Sequence, residues 1–243
     1  MLSVGGQTDV MQTPPTGARA RVRAELTEEI KAIGRRHLAE RGAESLSLRA
    51  VAREQGMVSS AIYRYFPSRD HLLTALIVDS FHAVGRAAVE ADAQEPRTDH
   101  SARWLSLCRG VRSWALANPH EWALVYGSPI SGYVAPTDTI DPATDVILVF
   151  IRLLTDASAA GSIIDDEHIE TTRIVRDDLA DIRAAIAPGV PDGVLSRGLM
   201  VWMQLFGSIS YELFGHFENV IHDRDAFFDL QMQRAGTLLF TGR

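Results

Sequence analysis

A pair of short helical patterns around a glycine, in residues 45–69, constrains the fold more than any other segment of this chain. Apolar residues recur on each side of Gly56 at the spacing of one buried helix face. These inward positions are Leu48, Val51, Ala52, Ile62 and Phe66. Gly56 can take the left-handed backbone that a tight turn between two helices needs. The segment therefore predicts a helix-turn-helix, in which the second helix can enter a major groove.

The outward face of this second predicted helix carries groups that suit duplex DNA. Tyr63 presents a phenol, and Arg64 presents a charged fork that can bond phosphates or base edges. Ala61 is small enough to lie against a thymine methyl group. A helical hairpin with a solvated basic face is the alternative, but the Tyr-Arg-Tyr-Phe-Pro-Ser-Arg ending at residues 63–69 favours the DNA interpretation.

Basic and hydroxyl residues around this pair extend the predicted DNA-binding surface. Three arginines near residue 20 could form an arm that reaches a minor groove or follows phosphates, and a soluble helix start is the alternative. Ser47 is placed to cap a helix. Arg69 lies in a first helical turn, where a cation opposes the helix dipole, so we predict that it clamps a phosphate of the DNA backbone. The predicted DNA-binding residues are Arg19, Arg21, Arg23, Ser47, Arg49, Ser59, Ser60, Ala61, Tyr63, Arg64, Tyr65 and Arg69.

The charge of the chain is divided unevenly along its 243 residues. The net charge is −7, yet residues 1–69 hold 11 Lys and Arg against 7 Asp and Glu, whereas residues 70–243 hold 13 against 24. Phosphate attracts the first part and repels the second. The asymmetry therefore predicts a small basic domain joined to a larger acidic one.

Helical periodicity throughout, with no strand-like alternation, predicts an all-α fold. The expected architecture is an N-terminal three-helix helix-turn-helix DNA-binding domain followed by a larger C-terminal helical bundle. The predicted divisions are a disordered tail at 1–18, a DNA-binding domain at 19–68 and a helical domain at 69–243, with a connecting helix from Ser68 to Asp92. The other predicted helices are 24–41, 101–117, 120–126, 138–160, 169–186, 192–217 and 224–240.

Cysteine usage and hydropathy bear on the compartment. Cys108 is the single cysteine, so we expect a buried inert thiol rather than a redox sensor, in a reducing cytoplasm. No signal peptide is visible in residues 1–18. The apolar runs at 146–150 and 198–217 are expected to be core helices, so no membrane partner is predicted.

The first 90 or so residues resemble the DNA-binding region of the TetR family of transcriptional regulators. The matching residues are Leu46-Ser47-Leu48-Arg49-Ala50-Val51-Ala52, Gly56, Ile62-Tyr63-Arg64-Tyr65-Phe66-Pro67-Ser68-Arg69 and Leu72-Leu73. The remainder is similar to the WHG type of C-terminal domain, through Asn118-Pro119-His120-Glu121-Trp122, Tyr126-Gly127-Ser128-Pro129, Trp202 and Gly207. Two positions depart from the family pattern, since Val58 stands where Ser or Thr is frequent and Phe206 where His is expected.

The resemblance implies a dimeric repressor that places two recognition helices in a palindromic operator and is released by a small molecule bound in the larger domain. Two consecutive apolar helices at the end of the chain predict the dimer interface, with burial in the core of one chain as the alternative. The predicted interface residues are Leu195, Leu199, Trp202, Phe206, Ile209, Leu213, Phe228, Met232, Ala235 and Leu239.

Aromatic residues are abundant in the larger predicted domain. We expect them to line a pocket for a small apolar or aromatic effector, although for any one ring simple core burial is the alternative. The predicted pocket residues are Trp104, Trp114, His120, Trp122, Tyr126, Phe150, Trp202, Phe206 and Tyr211.

No motif for catalysis or metal binding is apparent. His216 and His222 are six residues apart, which does not place them on one helix face, and Ser128 lacks the second glycine of a hydrolase elbow. We therefore predict no catalytic residue, no metal, no cofactor and no enzyme activity. The predicted partners are a double-stranded DNA operator, a small-molecule effector and a second copy of the chain. An all-helical enzyme and a protein-binding adaptor are the alternative functions.

Overall fold

Helices build the part of the chain that the computed structural model describes, residues 17–164 and 172–241, and no β-strand occurs within those residues. The all-α fold class is thus confirmed. The α-helices are α1 (Ala18–Arg41), α2 (Leu48–Glu54), α3 (Arg69–Asp92), α4 (His100–Ala117), α5 (Pro119–Tyr126), α6 (Ile140–Ala143), α7 (Asp145–Ala159), α8 (Arg173–Ile186), α9 (Asp192–Leu213) and α10 (Arg224–Gly236). Short 3₁₀ turns lie at Ala43–Ser45, Ile62–Arg64 and Thr137–Thr139.

Helix boundaries follow local chemistry where that chemistry is strong. Helix α1 ends at Arg41, as predicted, because Gly42 takes φ 77° and its N–H bonds the Leu38 carbonyl. Ser68 caps α3, since its hydroxyl accepts a hydrogen bond from the His71 N–H at 3.3 Å. Pro119 occupies the first position of α5, where its missing N–H costs nothing.

Other boundaries differ from the prediction. Helix α1 begins at Ala18 rather than 24, and the predicted helix over 138–160 is broken into a 3₁₀ turn, α6 and α7. Helix α9 stops at Leu213 rather than 217, because the chain turns at Gly215 with φ 81°. The predicted tail lies almost wholly outside the described residues, as does the start of the predicted helix over 169–186.

Two compact units divide the described residues. The N-terminal unit combines residues 17–82 with 118–143, and the C-terminal unit combines 83–117 with the described residues from 144 onward. Helix α3 contributes its first half to one unit and its second half to the other. The predicted functional boundary at residue 68 stays a prediction, since these units group residues by packing alone.

The core of the N-terminal unit is built on the first half of α3. Leu72, Leu73 and Leu76 are completely buried against apolar residues of α1 and α2. Gly34 lets α1 come close, because a Cβ there would lie 3.2 Å from the Leu76 Cδ1. Helix α3 is also the one described helix long and apolar enough to cross a membrane, but that is weak evidence for a helix whose leucines form a core.

Helix α2 is tied to α1 by a buried histidine. The His37 Nε2 lies 2.7 Å from a carboxylate oxygen of Glu54, and Arg36 pairs with the other oxygen. The hydrogen bond with His37, followed by that with Arg36, holds the pKa of Glu54 below its ordinary value. The contact therefore fixes the first helix of the predicted helix-turn-helix while Glu54 is ionised.

The C-terminal unit contains a buried charge network. Arg103 on α4 is completely buried and bonds both carboxylate oxygens of Asp92 at the end of α3, at 2.8 and 3.2 Å. A further bond of 2.9 Å reaches Asp156 on α7. Cys108, five residues further along α4, is buried as predicted, and burial raises the pKa of its thiol well above the ordinary range.

We expect Arg103→Ala to lower the free energy of unfolding by about 3 kcal/mol or more, because it leaves Asp92 buried without its main partner. Arg97→Ala is the matched control, since Arg97 also bonds Asp92 but its side chain is 70 % exposed; its cost should be about 1 kcal/mol or less. Urea denaturation of wild type, Arg103→Ala and Arg97→Ala measures the two losses of unfolding free energy. Equal losses would mean that the buried network is not what stabilises this unit.

Glu54→Gln should destabilise the protein at neutral pH and have less effect in acid. The pKa of Glu54 is lower in the folded protein than in the unfolded chain, so its ionised carboxylate stabilises the fold at pH values above the unfolded-state pKa. That stabilisation is lost as the pH falls through the folded-state pKa. Thermal unfolding at pH 7 and in mildly acidic buffer measures the difference from wild type. Glu40→Gln, which removes an exposed carboxylate near Arg41, is the control. A difference that does not change with pH would contradict this assignment.

Candidate nucleic-acid interface

The segment from Val58 to Phe66, here called the recognition segment, follows the turn at Gly56. Gly56 adopts the predicted left-handed backbone, with φ 72°. The segment then differs from the prediction, because it forms turns and one 3₁₀ turn at Ile62–Arg64 rather than an α-helix. The Ala61 N–H bonds the Val58 carbonyl at 2.8 Å, and the Arg64 N–H bonds the Ala61 carbonyl at 3.1 Å.

Chain length and Pro67 explain this geometry. A stretch of so few residues gains little from α-helical hydrogen bonding, and tighter three-residue bonds are usual in short pieces. Pro67 has no N–H to extend a helix and disfavours helical backbone at Phe66. The sequence periodicity alone could not distinguish a 3₁₀ turn from an α-helix over so short a range.

The two faces of the recognition segment are oriented as predicted. Ile62 is 0 % exposed and Phe66 is 6 % exposed, so both anchor the segment in the core of the N-terminal unit. Tyr63 is 44 % exposed, and Arg64 is exposed as well. Ser59 and Ser60 are exposed, whereas Ala61 and Tyr65 are half-buried.

Val58 is a surface residue that the sequence prediction left out. It opens the recognition segment with its side chain 73 % exposed. A bare β-branched group can contact a thymine methyl, which is the one apolar group in the major groove. The signal was present in the sequence, where Val58 stands in place of the Ser or Thr frequent in the family.

Helix α2 contributes two of the predicted residues. Ser47 is its N-cap residue in extended backbone, with φ −134° and ψ 119°, but its hydroxyl makes no capping hydrogen bond. That hydroxyl therefore remains available to a phosphate oxygen. Arg49, in the first turn, is exposed.

Arg69 is held by the protein itself. Its guanidinium donates to the Ala43 carbonyl at 2.9 Å and pairs with Asp70 at 3.2 Å. The side chain thus ties the start of α3 to the turn after α1. We predicted a backbone clamp for DNA, and the structure gives Arg69 a structural bond in addition to its partial exposure.

The three N-terminal arginines lie on a helix rather than on a flexible arm. They belong to the first two turns of α1, where Arg19 and Arg21 are exposed. Arg23 reaches the recognition segment, since its Nη2 donates to the Arg64 carbonyl at 2.8 Å. Its guanidinium carbon also lies 5.4 Å from the centre of the Tyr65 ring.

Ion pairing sorts the basic residues of the N-terminal unit into two sets. Lys31 and Arg35 pair with Asp79 of α3, and Arg36 pairs with Glu54. A second set makes no ion pair within the described part of the chain. These unpaired residues are Arg19, Arg21, Arg23, Arg49, Arg53 and Arg64. Their positive charge is uncompensated on the elements that precede and form the recognition segment, which suits a phosphate backbone.

The predicted pocket residues do not converge on one cavity. His120, Trp122 and Tyr126 belong to the N-terminal unit, and the other six belong to the C-terminal unit. Four of these six rings form a series within the C-terminal unit. Ring centroids are 5.2 Å apart for Trp104 and Phe150, 5.5 Å for Phe150 and Trp202, and 4.6 Å for Trp202 and Phe206.

A cavity of 410 Å³ does lie at one end of this series, between the start of α4 and the end of α10. Trp104 is its one member from the predicted pocket. The remaining lining residues are Asp99, Ser101, Ala102, Leu105, Gln233, Gly236, Thr237 and Phe240. His120 and Tyr211 are exposed, and Trp114 is half-buried.

Six of the predicted dimer-interface residues are core residues of the chain, which corrects their assignment. They are Leu195, Ile209, Phe228, Met232, Ala235 and Leu239. A second copy cannot reach side chains that are already covered. Leu199, Trp202, Phe206 and Leu213 are half-buried.

The exposed apolar face of α9 lies beside the predicted one. Its residues on the helix are Met200, Met203, Gly207 and Tyr211, and Phe214 follows directly after the helix end; these five are here called the α9 stripe. The four side chains are between 48 and 64 % exposed. A Cβ at Gly207 would meet nothing within 4 Å, so the middle of the stripe is open.

Comparison with known proteins identifies this architecture. Residues 32–76 match the model of the bacterial regulatory proteins of the tetR family, and residues 104–235 match the tetracyclin repressor-like C-terminal domain. The HTH-type transcriptional regulator Rv1816 of Mycobacterium tuberculosis is 37 % identical over 222 residues, which cover 90 % of this chain and 94 % of that protein. The regulator Mb1846 of Mycobacterium bovis matches equally well.

Solved structures of other proteins share this fold. SCO4313, a candidate regulatory protein, has a TM-score of 0.73 at 31 % identity, covering 90 % of this chain and 98 % of that one. A Rhodococcus protein of unknown function shares the fold, with a TM-score of 0.68 at 22 % identity, over 89 % and 96 % of the two chains. The prediction of a DNA-binding regulator rather than an enzyme is thereby confirmed. The chain belongs to the TetR family of transcriptional regulators.

Proposed function

We propose that this regulator is a repressor that binds a palindromic operator as a homodimer and leaves it when a small apolar or aromatic effector binds the C-terminal unit. The recognition segment carries this proposal. Its anchors Ile62 and Phe66 are buried, its exposed side chains can contact base edges, and arginines without an ion pair lie beside it. Such a protein acts where its operator lies, in the cytoplasm.

The α9 stripe supports pairing with a second copy. Its four members on the helix recur at steps of three and four residues, so they share one face of the helix. Gly207 leaves room for close approach of another helix, and Leu230 on α10 adds a further exposed apolar side chain. A self-complementary face produces a two-fold dimer, which presents two recognition segments to two half-sites of a palindrome.

The aromatic series and the 410 Å³ cavity beside Trp104 support an effector of modest size. Apolar clefts of this volume are usual for small-molecule ligands. An effector releases DNA only if it binds the released state more tightly than the DNA-bound state. The effector is therefore expected to alter the C-terminal unit, from which the change reaches the operator-binding segments.

Genomic selection with the purified protein should recover a palindromic duplex. Tyr63→Ala should lower affinity for that duplex by about tenfold and relax the base preference at one position in each half-site, because a base contact is lost. Arg49→Ala should weaken binding to all sequences and flatten the salt dependence by about one charge.

Arg41→Ala is the control for these variants, since Arg41 is exposed but pairs with Glu40. Mobility shifts over a range of salt concentrations measure all three. Recovery of no preferred duplex, or equal affinity of the Tyr63→Ala variant for the recovered site, would contradict the assigned reading surface.

Met203→Glu should dissociate the dimer and weaken operator binding together, because a charge at the centre of the α9 stripe repels its counterpart across the two-fold axis. Val220→Glu is the matched control, since Val220 is 68 % exposed and lies outside the stripe. Sedimentation velocity gives the oligomeric state. An unaltered dimer in the Met203→Glu protein would place the interface elsewhere.

A further inference from the structure

The end of the recognition segment leaves a backbone carbonyl that the segment cannot satisfy. The 3₁₀ turn uses bonds between residues three apart, so the next donor for the Arg64 carbonyl would be the residue at 67. That residue is Pro67, which has no N–H. In an α-helix the donor would be the Ser68 N–H, but among the described residues that group makes no backbone hydrogen bond to the Arg64 carbonyl.

Arg23 provides the missing donor from a distant part of the chain. Its Nη2 lies 2.8 Å from the Arg64 carbonyl oxygen, although the two residues are 41 positions apart. The same guanidinium lies over the Tyr65 ring, at 5.4 Å from its centre. Tyr65 in turn packs against the core of the N-terminal unit. One side chain thus holds both the backbone and the neighbouring ring at the end of the segment.

We propose that Arg23 is a positioning residue, which sets the pose of the recognition segment and thereby governs sequence discrimination without itself contacting DNA. The proposal rests on the function proposed above, in which this segment reads base edges. It reassigns a residue that the sequence pattern places among the phosphate contacts. Arg19, one turn earlier on the same face of α1, is exposed and is the residue of this face left to contact phosphate.

The chemistry requires arginine rather than a positive charge alone. A planar guanidinium can donate to a carbonyl and stack on an aromatic ring at the same time. A lysine ammonium keeps the charge but lacks the plane and the fork. Arg23→Lys therefore separates positioning from phosphate binding, because a phosphate contact tolerates this substitution far better than a stacked fork does.

The first arm of the test uses the full-length protein without DNA. Hydrogen exchange of the Tyr65 and Phe66 amides, which bond the Ile62 carbonyl at 2.9 and 3.0 Å, reports the closure of the segment. We expect Arg23→Lys to speed exchange at these two amides about fivefold, as for the loss of one hydrogen bond. Arg19→Lys is the matched control and should leave them unchanged, and thermal unfolding shows that both variants are folded.

The second arm measures binding to the duplex recovered by genomic selection and to a random-sequence duplex of equal length. We expect Arg23→Lys to lower affinity for the recovered duplex about fivefold to tenfold, while affinity for the random duplex and the salt dependence stay as in wild type. The control in this arm is Arg41→Lys, because Arg41 lies outside the predicted DNA-binding residues and pairs with Glu40; it should match wild type on both duplexes.

The outcomes separate the two proposals. Unchanged amide exchange in the Arg23→Lys protein overturns the positioning role, whatever the DNA arm gives. Wild-type affinity of Arg23→Lys for both duplexes, with a flatter salt dependence for Arg23→Ala, makes Arg23 a phosphate contact and also overturns it. If wild type prefers no duplex while the Tyr65 and Phe66 amides exchange faster in the Arg23→Lys protein, Arg23 still positions the segment and the proposed operator function fails.

Discussion

Burial of Ile62 and Phe66 is the constraint on which the proposed DNA-binding surface depends. The recognition segment has few hydrogen bonds of its own, so packing has to hold it in place. Both side chains enter a core formed by leucines of α3, which α1 and α2 close from other directions. The exposed residues between these anchors are displayed because their neighbours are fixed, and the bond from Arg23 completes the hold at the end that Pro67 leaves open.

In the N-terminal unit, acidic partners neutralise some basic residues and leave others unpaired. The basic residues that face other helices are matched with Asp79, Glu54 or Glu121, and these pairs tie α1 to α2, α3 and α5. The six arginines of the second set, described above, have no ion-pair partner among the described residues. A net charge of −7 for the whole chain is therefore compatible with DNA binding, since the relevant charge is local and unpaired.

Much of the fold could be predicted because its signals are local. The turn at Gly56, the cap at Ser68, the inward positions of Ile62 and Phe66 and the all-α class each follow from residue type and short-range spacing. The 3₁₀ geometry could not, since it results from a proline at one end and tertiary packing at the other. The position of Arg23 depends on a contact over 41 residues, which no local pattern contains.

The last two helices show a different limit of sequence analysis. Helix α9 has apolar residues on most of its circumference, so periodicity cannot tell which face turns inward. Leu195 and Ile209 take the core, and the α9 stripe is left outside. The aromatic residues pose the same problem, because a list of rings does not separate the packed series of Trp104 and Phe150 from rings that line a cavity.

The two methionines of the α9 stripe give the proposed dimer a particular mechanical property. Met200 and Met203 are unbranched and carry polarisable thioethers, so they can change rotamer and still fill the space between two helices. An interface of this kind can change its packing without losing its apolar contact. In the proposed dimer, the two copies can therefore adjust their packing while the apolar contact persists, so that pairing and adjustment of half-site spacing need not compete.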